Sequence, residues 1–127
     1  MPQFSKATPI LRIFDETKAR EFYLDYLGFT VGFEHRFGKD MPLYMGIDRG
    51  DVTLHLSEHH GDACPGSAVR IQIDDATAFH AELKSKNYKY LNPGIEDMPW
   101  GSREVCVRDP FGNRLDFWQD ISTENKT

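Results

Sequence analysis

The sequence predicts an α+β fold made of two βαβββ modules whose strands form a curved mixed sheet. The first observation is an internal repeat at an offset of 59 residues, which aligns Asp15 with Asp74 and Gly28 with Asn87. The second is the order within each repeat, where an apolar run precedes a helical stripe and several strand-like segments. Because one helix covers only one face of a four-stranded sheet, the other face is free to line a concave groove.

The first module, about residues 5–57, is predicted to begin with a strand in the apolar run at residues 9–14. Asp15 follows at a position suited to a helix N-cap, since its carboxylate accepts amide hydrogens of the first turn. Gly28 ends the helix because glycine readily adopts positive φ. The helix presents one apolar stripe, formed by Ala19, Phe22, Tyr23, Tyr26 and Leu27, and the later strands are expected at residues 29–35, 43–47 and 52–57.

The second module, about residues 68–120, follows a polar, turn-rich linker at residues 58–67. Asp74 or Asp75 is expected to cap its helix, and Asn87 is expected to end it. The two modules are interpreted as one domain that spans residues 1–127. The strands of the second module are predicted at residues 68–73, 88–91, 103–107 and 114–119.

The composition is typical of a folded soluble protein and argues against nucleic-acid and membrane partners. Of the 127 residues, 39% are hydrophobic and 28% charged, and the formal net charge is -5. The basic residues are scattered, so no surface that tracks phosphates is expected. No apolar run approaches the ~20 residues that span a bilayer. The N-terminus lacks an apolar signal-peptide core, which predicts a cytoplasmic protein.

Several short segments carry a resemblance to a known superfamily. The segments IFDETKAREFY (residues 13–23), YLGF (26–29) and DPFGN (109–113) resemble the glyoxalase, bleomycin-resistance and extradiol-dioxygenase superfamily, or vicinal oxygen chelate fold. The segment PWGSRE (99–104), taken with Pro9 and residues 51–54, is similar to the bleomycin-resistance proteins in particular. The likeness extends from about residue 5 to residue 120.

This resemblance implies a homodimer with an exchanged N-terminal strand and no enzymatic activity. Two grooves at the dimer interface are expected to bind and sequester a bleomycin-like antibiotic or a related small molecule, which confers resistance without a cofactor. By the resemblance, aromatic walls and acidic groups line these grooves. The expected ligand-binding residues are Phe33, Phe37, His55, Trp100, Asp116, Glu34 and Asp51, with Glu96 and Asp97 as further acids for ligand cations.

The alternative is a metal-dependent glyoxalase-like or dioxygenase-like enzyme. The superfamily's metal-ligand positions correspond here to Thr8, His55, Ala68 and Asp116. Threonine is a poor ligand and alanine is none, whereas a catalytic metal needs about three protein ligands. His55 and Asp116 therefore stay weak candidates for a metal, and no metal is expected.

Some readings of single residues stay open. Phe33 is either a core residue or a groove wall, and Trp100 lies either in a groove or at the dimer interface. Cys106, between two valines, is expected to be buried. Positive charge at residues 35–39 also fits a less cationic ligand, so a carrier or sensor of another small molecule is a further possibility.

Overall fold

The computed structural model describes residues 1–124 and confirms the α+β fold with two βαβββ modules. The first module contains β1 (Ile10–Arg12), α1 (Glu16–Arg20), a π-helical segment (Glu21–Tyr26), β2 (Thr30–His35), β3 (Tyr44–Arg49) and β4 (Val52–Ser57). The second contains β5 (Ala68–Gln72), α2 (Ala76–Ser85), β6 (Glu96–Met98), β7 (Ser102–Arg108) and β8 (Arg114–Asp120). Among residues 1–124, no helix is long and apolar enough to cross a membrane.

Each module contributes one mixed four-stranded sheet. The first sheet has the order β1-β4-β3-β2, and the second has the equivalent order β5-β8-β7-β6. The pairs β1–β4 and β5–β8 are parallel, and the other pairs are antiparallel. The two repeats of the sequence therefore build two copies of the same sheet topology.

Local capping chemistry defines the helices. The Asp15 carboxylate accepts a hydrogen bond from the Lys18 amide at 2.9 Å, and Asp75 accepts one from the Ala78 amide at 2.9 Å. The first helix stops at Gly28 with φ +78°, and the second stops at Asn87 with φ 50°.

The core lies between each sheet and its helix, and polar contacts tie the modules together. Leu54 and Leu56 of β4 and Val105 and Val107 of β7 are buried on the helix-facing sides of their sheets. Between modules, the Tyr23 hydroxyl donates to the buried Asp109 carboxylate at 2.6 Å. Because alternate residues of a strand point to opposite faces, each sheet keeps a second face away from its helix. We call this face the first open face in the sheet β1-β4-β3-β2 and the second open face in the sheet β5-β8-β7-β6.

The structure departs from the predicted elements in two places. The first helix is α-helical only over Glu16–Arg20 and continues as a π-helix, in which the Leu27 amide donates to the Phe22 carbonyl at 2.9 Å. The prediction of a strand at residues 88–91 is wrong. Tyr88 instead stacks on Tyr26, and the edge strand of the second sheet forms later in the chain, at Glu96–Met98.

Candidate functional site

The first open face carries a cluster of aromatic rings from three neighbouring strands. Phe33 of β2 lies opposite Gly46 of β3, which in turn lies opposite His55 of β4. The Phe33 ring lies across Gly46, since an added Cβ there would come within 2.2 Å of Phe33 Cε1. It packs edge-on against His55 with ring centroids 5.2 Å apart, and His55 Nδ1 shares a 2.7 Å hydrogen bond with the Tyr44 hydroxyl.

Further rings extend this cluster toward the β2–β3 loop. Phe37 is 77% exposed and packs edge-on against His35, with ring centroids 4.6 Å apart. It also approaches His59, whose ring centroid is 6.1 Å away. The first open face is therefore aromatic and rich in histidine, and both Phe33 and Phe37 are accessible on it.

The second open face is built around a carboxylate and an exposed indole. Trp100 is 67% exposed, but its indole nitrogen donates to the Glu104 carboxylate at 3.2 Å. Arg70 donates to both oxygens of Glu104, at 3.1 and 3.0 Å, and the Ser102 hydroxyl also donates to this carboxylate. The arginine hydrogen bonds, with those from Ser102 and Trp100, lower the pKa of Glu104 to about 2. Glu104 is thus a fixed anion that orients the indole ring.

Asp116 lies in the same face, between two arginines. It is only 8% exposed, and its carboxylate lies 3.7 Å from the Arg70 guanidinium and 3.3 Å from Nε of Arg114. Cys106 is opposite Asp116 in the neighbouring strand and is exposed, so the expectation that it is buried is wrong. Cys106 shares the second open face with the other even-numbered residues of β7, whereas its neighbours Val105 and Val107 face the core. Partial burial of the sulfur and the nearby Asp116 raise the pKa of Cys106 to about 11.

These side chains line a depression of about 540 Å³ over the second sheet. Trp100 stands at its rim, apolar groups come from the segment before β6 and from β6 itself, and charged groups come from β5, β7 and β8. The lining includes Arg70, Ile95, Glu96, Met98, Trp100, Glu104, Cys106, Arg108, Arg114 and Asp116.

Three of the acids named from the sequence lie elsewhere or are already paired. Glu34 alternates with the groove-facing residues of β2 and forms an ion pair with Arg20 on the helix side of the sheet. Asp51 is exposed in the β3–β4 turn, beside a separate depression of about 570 Å³ between the modules. Asp97 pairs with Arg103 at 2.7 Å. Neither Glu34 nor Asp51 is on an open face with the aromatic rings.

His55 and Asp116 belong to different sheets, on the first and the second open face respectively. Among the described residues, no three His, Cys, Asp or Glu side chains are placed to hold one metal ion. The two arginines beside Asp116 also oppose the approach of a cation. The donor set of this chain therefore does not suit the divalent metal that enzymes of the resembled superfamily use.

Tyr44, Arg70 and Glu104 are among the residues of the site that were not predicted from the sequence. The position of Glu104 could have been predicted from alternation along the strand. Val105 and Val107 face the core, so Glu104 falls on the open face. Tyr44 and Arg70 become neighbours of the site only through the register between strands. That register is a tertiary property which the residues themselves do not show.

Comparison with known proteins gives a consistent set of relatives. A family model described as Glyoxalase superfamily protein matches residues 2–124. Bleomycin resistance proteins of Geobacillus stearothermophilus and Staphylococcus aureus are each 23% identical to the chain over 131 residues, covering 93% of it and 98% of the relative.

Two solved structures share both the fold and part of the sequence. One is a bleomycin-binding protein from bleomycin-producing Streptomyces verticillus, complexed with copper(II)-bleomycin. It has a TM-score of 0.67 and 34% identity, with 92% of this chain and 97% of that chain covered. The other is a bleomycin resistance determinant encoded on the transposon Tn5. It has a TM-score of 0.69 and 25% identity, with 92% of this chain and 98% of that chain covered.

Proposed function

The chain belongs to the glyoxalase superfamily, as its sequence predicts, and from this premise we propose that it binds and sequesters a bleomycin-like antibiotic or a related small molecule. Sequestration keeps the molecule from its target and confers resistance without chemical change. The observation that carries the proposal is Trp100, whose ring is 67% exposed at the rim of a depression while Glu104 holds its indole nitrogen. A large aromatic side chain kept exposed and oriented is suited to stacking on a planar ligand.

The aromatic groups contribute to binding in this proposal by stacking on the ligand. Stacking of a heteroaromatic ring on Trp100 contributes about 0.5–1.5 kcal/mol beyond the area buried. Phe33 and Phe37 supply the opposing apolar wall, and both are accessible. The close contact between Phe33 and Gly46 keeps that wall flat.

The groove is completed by a second copy of the chain, in which the first open face of one subunit meets the second open face of the other. Phe33 and Trp100 lie on different sheets of one chain, and in this arrangement they come together across subunits. The N-terminal segment supports this arrangement. Residues 1–8 are exposed and form no strand, and Phe4 among them is 97% exposed. An aromatic residue this exposed favours an exchanged segment that packs on the partner.

The polar side chains of both open faces favour binding over chemistry. The negative charge of Asp116 is balanced by its ion pairs with Arg70 and Arg114. The raised pKa of Cys106 keeps its thiol protonated near neutral pH. His55 has one ring nitrogen engaged by Tyr44. These residues hold shape and charge and supply no activated nucleophile.

Calorimetric titration with metal-free bleomycin tests the proposal. The wild-type protein is expected to bind at micromolar or lower concentration, and Trp100→Ala is expected to weaken binding about tenfold, which corresponds to about 1.4 kcal/mol. Tyr90→Ala is the matched control, because Tyr90 is equally exposed but lies outside the depression. The control is expected to bind like the wild type.

Two results would count against this proposal. A folded wild-type protein that binds no bleomycin at micromolar concentration contradicts the proposed ligand. Near-stoichiometric zinc, nickel, manganese or iron in protein purified without an affinity tag favours the metal-dependent enzyme that uses His55 and Asp116.

A further inference from the structure

We infer that the second open face contains a subsite for an anionic group, such as a carboxylate, sulfate or phosphate, between Arg108 and Arg114. This inference rests on the proposed function, because it specifies the chemistry of the molecule that the same depression receives. It also differs from the acidic groove for a cationic drug that the resemblance implies.

The strand register places the two arginines side by side. Arg108 of β7 is directly opposite Arg114 of β8, and both line the depression. Residues directly opposite in an antiparallel pair have Cβ atoms about 4.5–5.5 Å apart, and like charges there destabilise the pairing. An anion held between the two guanidinium groups removes this repulsion and forms charge-assisted hydrogen bonds.

The carboxylates of the depression leave this pair short of negative charge. Glu104 is engaged by Arg70, Ser102 and Trp100, and Glu96 is opposite Glu104, toward the other end of the depression. Asp116 is divided between Arg70 and Arg114. Within residues 1–124, Arg108 forms no ion pair.

The side chain of Arg114 is also incompletely satisfied. Its Nε atom is buried without a hydrogen-bond acceptor in the described part of the chain, although the Asp116 carboxylate is 3.3 Å away. Both arginines also affect Cys106, since their positive charges oppose the rise of its pKa. Arg108 and Arg114 thus place two positive charges at this end of the depression.

The distance along β7 adds a constraint on the ligand. The indole of Trp100 is hydrogen-bonded to Glu104, and Glu104 lies four residues before Arg108 in β7. At about 3.4 Å per residue, Glu104 and Arg108, at the two ends of the depression, are roughly 14 Å apart. Ile95 and Met98 supply apolar lining. The expected molecule therefore has an aromatic ring at one end and an anionic group at the other.

A pair of matched probes tests this inference: 8-phenyloctanoate and its neutral analogue 8-phenyloctanamide, which share a ring and chain. Calorimetry on the wild-type protein is expected to show about tenfold tighter binding of the carboxylate. The double variant Arg108→Gln/Arg114→Gln loses this preference and still binds the amide as the wild type does. Lys84→Gln removes a positive charge on α2, outside the lining of the depression, and keeps the preference.

A second measurement does not depend on a variant. In nitrogen-15 spectra of the wild type, 8-phenyloctanoate is expected to shift the Nε–Hε signals of Arg108 and Arg114. The signal of Arg103, on the opposite side of β7, stays in place. Equal affinity for the two probes, no detectable binding of either, or no shift at these arginines overturns the inference.

The outcomes for the two proposals are distinguishable. Bleomycin binding without a preference for the carboxylate removes only the anionic subsite. A carboxylate preference without bleomycin binding contradicts the proposed antibiotic and leaves the subsite in place.

Discussion

Replacing Glu104 with glutamine removes the charge that organises the second open face. The carboxylate accepts hydrogen bonds from Arg70, Ser102 and Trp100, so one substitution affects the guanidinium and the indole together. Glutamine has the same shape, but its amide can accept on only one atom. We therefore expect Glu104→Gln to lower stability and to loosen Trp100.

The magnitude follows from the pKa of Glu104, which falls from 4.5 to about 2 in the folded protein. A shift of this size sets an upper bound of about 3 kcal/mol on the stabilisation at pH 7. The Arg70 side chain is 47% exposed, so solvent screens part of the interaction. We expect Glu104→Gln to reduce the free energy of unfolding by about 1–2 kcal/mol.

Urea unfolding at several pH values measures this contribution. Because folding lowers the pKa, the stabilisation is fully present above about pH 4.5 and is lost as the pH falls toward about 2. The difference between wild type and variant is therefore expected to shrink between about pH 5 and pH 3. Glu21→Gln, at an exposed glutamate without an ion pair among residues 1–124, is the control and shows no such trend. A variant as stable as the wild type at pH 7, or a difference that does not change with pH, refutes the reasoning.

Three other substitutions test other parts of the account. Gly46→Ala puts a Cβ 2.2 Å from Phe33 Cε1, so the displaced ring is expected to weaken bleomycin binding by up to about tenfold in calorimetry. Tyr23→Phe removes the hydroxyl that donates to a buried carboxylate at 2.6 Å, and urea unfolding should show a loss of about 1–3 kcal/mol. In Cys64→Ser protein, alkylation of Cys106 by iodoacetamide should keep rising beyond pH 9, because its pKa is about 11. A rate that levels off by about pH 9 contradicts that pKa.

The parts of the fold that local chemistry decides could be predicted from the sequence. Asp15 and Asp75 cap the helices, and Gly28 and Asn87 end them at positive φ, as their residue types require. Because the sequence repeats, the second module could be predicted from the pattern of the first. These features depend on residues close together in the chain.

Tertiary contacts decided the elements that could not be predicted. Residues 88–91 have the aromatic and aliphatic composition of a strand, but Tyr88 stacks on Tyr26 of the other module, with ring centroids 4.6 Å apart. Asn92, Pro93 and Gly94 then delay the edge strand to Glu96–Met98. A contact between the two modules thus overrode a local preference.

The candidate site could be predicted only where alternation along one strand was enough. That pattern assigned His55 and Asp116 to open faces, and the structure has them there. Neither the pairing of Arg70 with Glu104 nor the neutralisation of Asp116 could be derived, because both need the order and register of three strands. The charge balance of the groove is therefore a property of the sheet and not of any single segment.

Native mass spectrometry of the protein mixed with metal-free bleomycin tests the central claim most directly, since it reports the assembly, the stoichiometry and the mass of the bound molecule together. We predict a dimer that carries two bleomycin molecules of unchanged mass. A monomer without ligand, or a bound or released antibiotic of altered mass, would contradict it.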